Sequence, residues 1–279
     1  MRLRLYHHSD GARVAYREVG AGPALALVHS GLLSHKEWEP AVEGLSDRFR
    51  VVLPDLPLHG DSECRPRHPY TLDWFAEVFA GFAAEVLGPR PLLAGHGAGA
   101  EVLVHAVLAG RLRPARLVLM PNRMHRRPGH AGARAAWQLT TRAAALPGLD
   151  RLLAYGAGAV FSPRRGMALS ARANPEARDV MRHAFADVPG NATLARSWAK
   201  CARRWPRGAQ AQLLGQYRRL EMPVLLLWAD RDPMHPLAIA EEALALLPHG
   251  QLRVLESVGF LLAYDDPVGL VRELTAFCG

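Results

Sequence analysis

Along the chain, short apolar runs alternate with stretches in which apolar residues recur every three or four positions. Leu3–His7 and Ala12–Val19 read as an opening hairpin turned at Ser9-Asp10-Gly11. Ala24–Val28, Arg50–Leu53, Pro91–Ala94 and Arg116–Met120 read as core strands. Trp38–Leu45, Leu72–Leu87 and Ala98–Leu108 read as the helices between them; Phe75, Val78, Phe79, Phe82 and Val86 carry the helical period of the second. Strands that alternate with helices in this way build a mainly parallel sheet with helices on its faces.

From Pro121 to Leu220 the strand signal disappears, and helical pieces are broken at Pro128-Gly129, Pro147-Gly148, Ser162-Pro163, Asn174-Pro175, Pro189-Gly190 and Pro206. It returns at Pro223–Ala229, passes a helix at Leu237–Leu246 and a strand at Gln251–Glu256, and ends on a helix at Pro267–Phe277. The expected organisation is an α/β core of eight strands in two parts, 1–121 and 221–279, interrupted by a helical cap or lid insertion at 122–220.

Charge sharpens this division. The chain of 279 residues has a formal charge of +8, but Arg123 to Arg219 alone carries 18 Lys/Arg against 4 Asp/Glu. A surface of that sign suits an anionic substrate or an acidic carrier protein, and Arg123, Arg126, Arg127, Arg203, Arg204 and Arg207 are the candidates for it. No recognition helix, zinc finger or RNP-like aromatic stretch accompanies the arginines, so nucleic acid is not an expected partner. No apolar run is long enough to span a bilayer. Three scattered cysteines and an N-terminus without an apolar signal core lead to the expectation of reduced thiols in the cytoplasm. The histidines show no helical ligand spacing, and no metal or cofactor is expected.

The candidate chemistry centres on "LLAGHGAGAEVLVHA", Leu92 to Ala106. An apolar strand runs through Gly95-His96-Gly97-Ala98-Gly99 into a helix, the setting of a G-x-S-x-G nucleophile elbow. Its central residue is Gly97, which has no side chain to attack with.

Five segments in order make the chain resemble the α/β-hydrolase superfamily. "LALVHSGLLSHKEWEP" resembles the strand and His-Gly oxyanion loop, with Ser30 where glycine is usual. "VVLPDLPLHGDS" resembles D-x-x-G-H-G-x-S, with Leu58 where glycine is usual, and "LLAGHGAGA" occupies the elbow. "PVLLLWADRDPMHP" resembles the stretch that carries the acid, and "VLESVGFLLAYDDPVGLVRELTAF" the terminal Gly-His stretch. The resemblance implies that the nucleophile position is Gly97, the acid Asp232 and the histidine position Phe260. A serine that attacks, a histidine that takes its proton and a carboxylate that orients the histidine are therefore reduced to the carboxylate. The oxyanion amides implied are those of Ala98 and of Gly31 or Leu32. Ser30, Trp38, His96, Gly97, Trp137, His235 and Phe260 are the expected pocket residues. Asp232, without its histidine, is expected to have a raised pKa and to serve as the acid/base group. His235 can point at the pocket or at solvent, with solvent the preferred reading, and His29, His59 and Asp55 are expected to hold loops.

Three functions fit this reading. The first is an enzyme without a covalent nucleophile, performing a lyase, cyclase, isomerase or cofactor-free reaction on a small, largely apolar metabolite, in a biosynthetic setting by analogy. The second is a hydrolase with relocated groups, and the third a ligand-binding protein without chemistry. The substitutions Gly97→Ser and Phe260→His together are expected to fold.

Overall fold

The computed structural model describes residues 1–122, 131–143, 169–177, 191–205 and 214–279, with a few isolated positions between them. Eight strands form one sheet in the order β1-β2-β4-β3-β5-β6-β7-β8. They are β1 Arg2–His7, β2 Arg13–Val19, β3 Ala24–Val28, β4 Arg50–Pro54, β5 Leu92–Gly95, β6 Arg116–Leu119, β7 Val224–Ala229 and β8 Gly250–Leu255. β2 runs antiparallel to both β1 and β4, and every other neighbour is parallel.

The two-residue period of the strands feeds two cores. In β3, Leu25 and Leu27 enter one layer with Phe49, Leu45 and Phe277, while Ala26 and Val28 enter the other with Phe75, Phe79 and Phe82. β7 repeats the division, Leu225 and Leu227 on one face and Leu226 and Trp228 on the other. A sheet buried on both faces reads as continuous apolar sequence, which is what "VLLLWA" is.

The helices fall close to the sequence reading: α1 Glu39–Ser46, α2 Leu72–Phe82, α3 Ala98–Leu108, α4 Ala131–Ala143, α5 Ala192–Arg204, α6 Leu237–Leu244, α7 Leu262–Asp265 and α8 Pro267–Cys278. The helix expected over Leu72–Leu87 changes character at Ala83, where a π turn closes with the Gly88 amide on the Ala83 carbonyl at 3.0 Å. α1 starts one residue late because His35–Trp38 forms a 3-10 turn capped by Ser34. That turn carries Glu37, which is buried.

The described residues between β6 and β7 are in contact with the sheet and its helices. α4 and α5 pack together. Lys200 Nζ on α5 donates to the carbonyls of Pro66 and His68 at 2.9 and 2.6 Å, and Arg204 donates to that of Pro69 at 3.0 Å. At the other end, Asn174 Nδ2 donates to the Tyr264 carbonyl at 2.8 Å, and Asp265 accepts from Ser170 and from the amides of Ala171 and Gly259. Among the described residues no helix is long and apolar enough to cross a membrane. Cys64, Cys201 and Cys278 are free thiols. Burial pushes Cys201 and Cys278 up to about 12.

Candidate active site

The elbow has kept its backbone and lost its side chain. Gly97, between β5 and α3, has φ 51° and ψ −120°, a left-handed conformation that costs glycine little. Its amide donates to the Pro121 carbonyl at 2.9 Å, which fixes the turn against the end of β6. The next residue, Ala98, opens α3, so its amide has no acceptor within the helix. The loop after β3 comes up beside it: a Cβ on Gly31 would stand 3.2 Å from Ala98 Cβ. Leu32 is left-handed at φ 71°. The amides of Leu32 and Ala98 thus belong to adjoining loops at the C-terminal edge of the sheet, where ligands enter such folds.

Ser30 fills the vacancy at the elbow. A Cβ on Gly97 would lie 2.0 Å from Ser30 Oγ, 2.8 Å from its Cβ and 3.3 Å from its Cα. This corrects the expectation that Gly97→Ser is accommodated directly, because a side chain from the facing loop already uses the space. Leu58, the other departure from glycine, keeps a left-handed backbone at φ 76°.

Two histidines are each held by a carboxylate. His235, expected at the solvent, is instead only 4% exposed, and its Nδ1 lies 2.8 Å from Asp232 Oδ2. Asp232 Oδ1 accepts from the Met234 amide at 2.7 Å. Asp232 is therefore paired with a histidine of its own loop and not with a residue of the loop after β8. The expected upward pKa shift is corrected with it. Burial pushes the Asp232 carboxyl up, but the His235 hydrogen bond and charge, and the Met234 amide, hold it below the usual carboxylate range.

The second pair was not read from the sequence. His96 is fully buried, and its Nδ1 is hydrogen-bonded to Glu37 Oε1. Glu37 Oε2 accepts from the Ser30 amide at 2.7 Å. One carboxylate thus ties the loop after β3 to the elbow. A carboxylate only accepts, so Nδ1 is the protonated nitrogen of each imidazole. Phe260 lies between the pairs, its ring centroid 4.3 Å from that of His96 and 5.9 Å from that of His235.

The other expected residues sort as follows. Trp38 is buried with its ring 6.3 Å from that of His96, so it backs the site. The side chain of Trp137 lies outside the described residues, as do Arg123, Arg126, Arg127 and Arg207. His29 holds loops as expected: its Nδ1 donates to the Ser30 carbonyl at 2.8 Å and its Nε2 accepts from the Leu56 amide at 2.9 Å. Asp55 accepts from the amides of His35 and Asp61 at 2.6 and 3.0 Å. His35, Asp55 and Asp61 place ligand-type atoms within 4.8 Å of one another. Arg17 lies among them, with Nη1 3.1 Å from His35 Nδ1 and Nη2 2.5 Å from Asp61, so its guanidinium already balances the charge there. An apolar wall of Leu33, Leu261, Tyr264, Ala177 and Val180 gathers around Phe260, with Trp198 and Met234 packed on it.

Comparison with known proteins agrees with this architecture. Residues 23–267 match the family model described as alpha/beta hydrolase fold. A pimeloyl-[acyl-carrier protein] methyl ester esterase of Methylococcus capsulatus is 30% identical over 264 residues, covering 92% of this chain and 96% of that protein. An uncharacterized protein of Mycobacterium tuberculosis is 26% identical over 278 residues, 96% of this chain and 78% of its own length. Among solved structures, an alpha/beta hydrolase fold protein from Burkholderia ambifaria superimposes with a TM-score of 0.80 at 23% identity, covering 98% and 97% of the two chains. A thermophilic esterase from Thermogutta terrifontis gives 0.78 at 22%, covering 100% and 98%. The eight-stranded sheet, the glycine elbow and the family match lead to one conclusion: this chain belongs to the alpha/beta hydrolase fold family.

Proposed function

We propose that the chain is an enzyme that hydrolyses an ester or thioester of a small, largely apolar acid, using catalytic groups moved from their usual places. The observation that carries this reading is the pair of carboxylate-held imidazoles on either side of Phe260, Asp232–His235 and Glu37–His96. Proton transfer needs a base near neutral pH, fixed in one tautomer, and a carboxylate on Nδ1 supplies that orientation. The amides of Ala98 and Leu32 stand ready for the oxygen of the attacked carbonyl. The apolar wall around Phe260 suits an acyl chain, and a relative 30% identical across 92% of this chain is named an esterase.

Gly97 favours a second reading. The same base and the same amides serve abstraction of a proton beside a carbonyl, which needs no nucleophile and is the first step of many lyase, isomerase and cyclase reactions. Assays separate the two. The soluble protein is expected to turn over members of a panel of short- and medium-chain p-nitrophenyl esters and acyl thioesters. The double variant His96→Gln/His235→Gln is expected to lose at least ~100-fold in kcat/KM. Full activity in that variant would remove the base from the reading. A wild type inert toward the panel that exchanges α-hydrogens of carbonyl ligands for deuterium would establish the second reading. Binding without either reaction would make it a ligand-binding protein.

An acidic carrier protein is the partner that belongs with the basic insertion. The relative from Methylococcus capsulatus is a pimeloyl-[acyl-carrier protein] methyl ester esterase by name. Exposed charges are screened over roughly 30 Å at about 0.01 M salt and over roughly 3 Å at about 1 M. The KM for a carrier-linked ester is therefore expected to rise at least ~10-fold across that range, while that of the free ester stays level. Equal salt responses would leave the arginines without a role in recruitment.

A further inference from the structure

Position 30 holds serine where the family usually has glycine, and position 97 holds glycine where it usually has serine. The structure brings these two exchanges to one point. Ser30 Oγ lies 2.0 Å from where a Cβ on Gly97 would stand, so the hydroxyl occupies the elbow side chain's space, carried there by the facing loop. One carboxylate links Ser30 to a histidine. Glu37 holds the Ser30 amide at 2.7 Å with one oxygen and His96 Nδ1 with the other. His96 directly precedes Gly97 and is wholly buried. Its Nε2 has no hydrogen-bond partner among the described residues. A buried imidazole nitrogen left unpaired is costly, so such an atom calls for an explanation.

We propose that Ser30 is the nucleophile of this site, with His96 as its base and Glu37 as the carboxylate that orients His96. The proposal rests on the hydrolase reading for its reaction class and gives that reading a nucleophile other than water. Ser30 Oγ bonds to the substrate carbonyl carbon while its hydrogen passes to His96 Nε2, and the carbonyl oxygen, now negative, takes the amides of Ala98 and Leu32. Collapse of this intermediate breaks the bond to the leaving oxygen or sulfur, which departs with the hydrogen held by His96. Water then adds to the acyl carbon and gives a proton to His96, and Ser30 recovers that proton as the acid leaves. An ester or thioester and water become an acid and an alcohol or thiol, with no oxidation or reduction. The Oγ–Nε2 hydrogen bond is not formed here, and bonds of this kind commonly close only on substrate.

Fluorophosphonate labelling tests this without a known substrate. The full-length protein treated with an alkyl fluorophosphonate is expected to gain one adduct, mapped by peptide mass spectrometry to Ser30. Ser30→Ala, which keeps the Cβ and the Glu37–amide bond, is expected to fold like the parent and take no label. His96→Gln and Glu37→Gln are expected to label at least ~100-fold more slowly, while His249→Gln, exposed just before β8 and outside the site, labels at the parental rate. An unlabelled parent, an adduct at another residue, or a parental labelling rate in His96→Gln would each overturn the assignment. Ester hydrolysis that survives Ser30→Ala would overturn Ser30 and leave the hydrolase reading intact, with water attacking directly. Labelling of Ser30 with no turnover of any ester would keep the nucleophile and end the hydrolase reading.

Discussion

Rebuilding the usual triad as Gly97→Ser/Phe260→His is expected to destabilise the protein by roughly 1–3 kcal/mol, the range for overpacking a close-packed interior. Adding Ser30→Gly is expected to recover most of that loss and to raise esterase activity at least ~100-fold over the double variant. The reason is the contact between the two loops. A rotation about χ1 could move Ser30 Oγ, but a Cβ on residue 97 would also meet Ser30 Cβ at 2.8 Å and Cα at 3.3 Å. Those atoms move only with the backbone of the oxyanion loop, which Glu37 pins through the Ser30 amide. A serine forced in at 97 would therefore displace the amides that its own reaction needs, and misplacement by about 1 Å can cost ~100-fold. Urea unfolding of the parent, double and triple variants checks the stability, and p-nitrophenyl ester hydrolysis checks the rate. A double variant as stable and as active as the triple would show that the loops yield freely.

Acid is expected to unfold the protein earlier than its carboxylates alone would require, because of His59. This imidazole is buried, with its ring 4.9 Å from that of His29 and 4.7 Å from that of Trp198 on the docked helix α5. Burial first, then the neighbouring His29, hold its pKa down to about 3. The unfolded chain takes up that proton near pH 6.5. Between those two values the unfolded state binds a proton that the native state refuses, so stability falls as pH falls. The slope approaches ~1.4 kcal/mol per pH unit, and about 4 kcal/mol is lost on reaching pH 3. His29 is depressed for the same reason and steepens the loss. His59→Phe is expected to remove one proton from the slope of unfolding free energy against pH between about 6 and about 4. Parallel slopes for parent and variant would mean that His59 becomes protonated without unfolding.

The sheet was readable because each core strand states its own burial. "VLLLWA" is apolar on both faces, and its position after a hundred residues without strands leaves little choice but resumption of the sheet. Gly97 and Phe260 stood out because the order of the motifs picks the positions at which the resemblance implies a serine and a histidine. The gains were not readable. His235 lies three residues beyond Asp232, and whether it turns inward depends on the loop that lets Asp232 Oδ2 reach its Nδ1. Glu37 was missed because its two partners are 7 and 59 residues away in sequence, and nothing in "SHKEWEP" distinguishes it from a solvated glutamate. Burial of a charged residue is decided by what packs over it, and here that is the elbow itself.

The reciprocal fit of residues 30 and 97 also makes the order of two substitutions matter. Starting from the family's usual glycine at 30 and serine at 97, the present pair is two substitutions away, and the two routes are not equivalent. Gaining Ser30 first would have set two side chains in one space. Losing the elbow serine first leaves glycine at both positions, which the backbone accommodates without a clash. The passable route therefore runs through a protein with no hydroxyl at this point, and relatives with glycine at both positions should exist where relatives with serine at both should not.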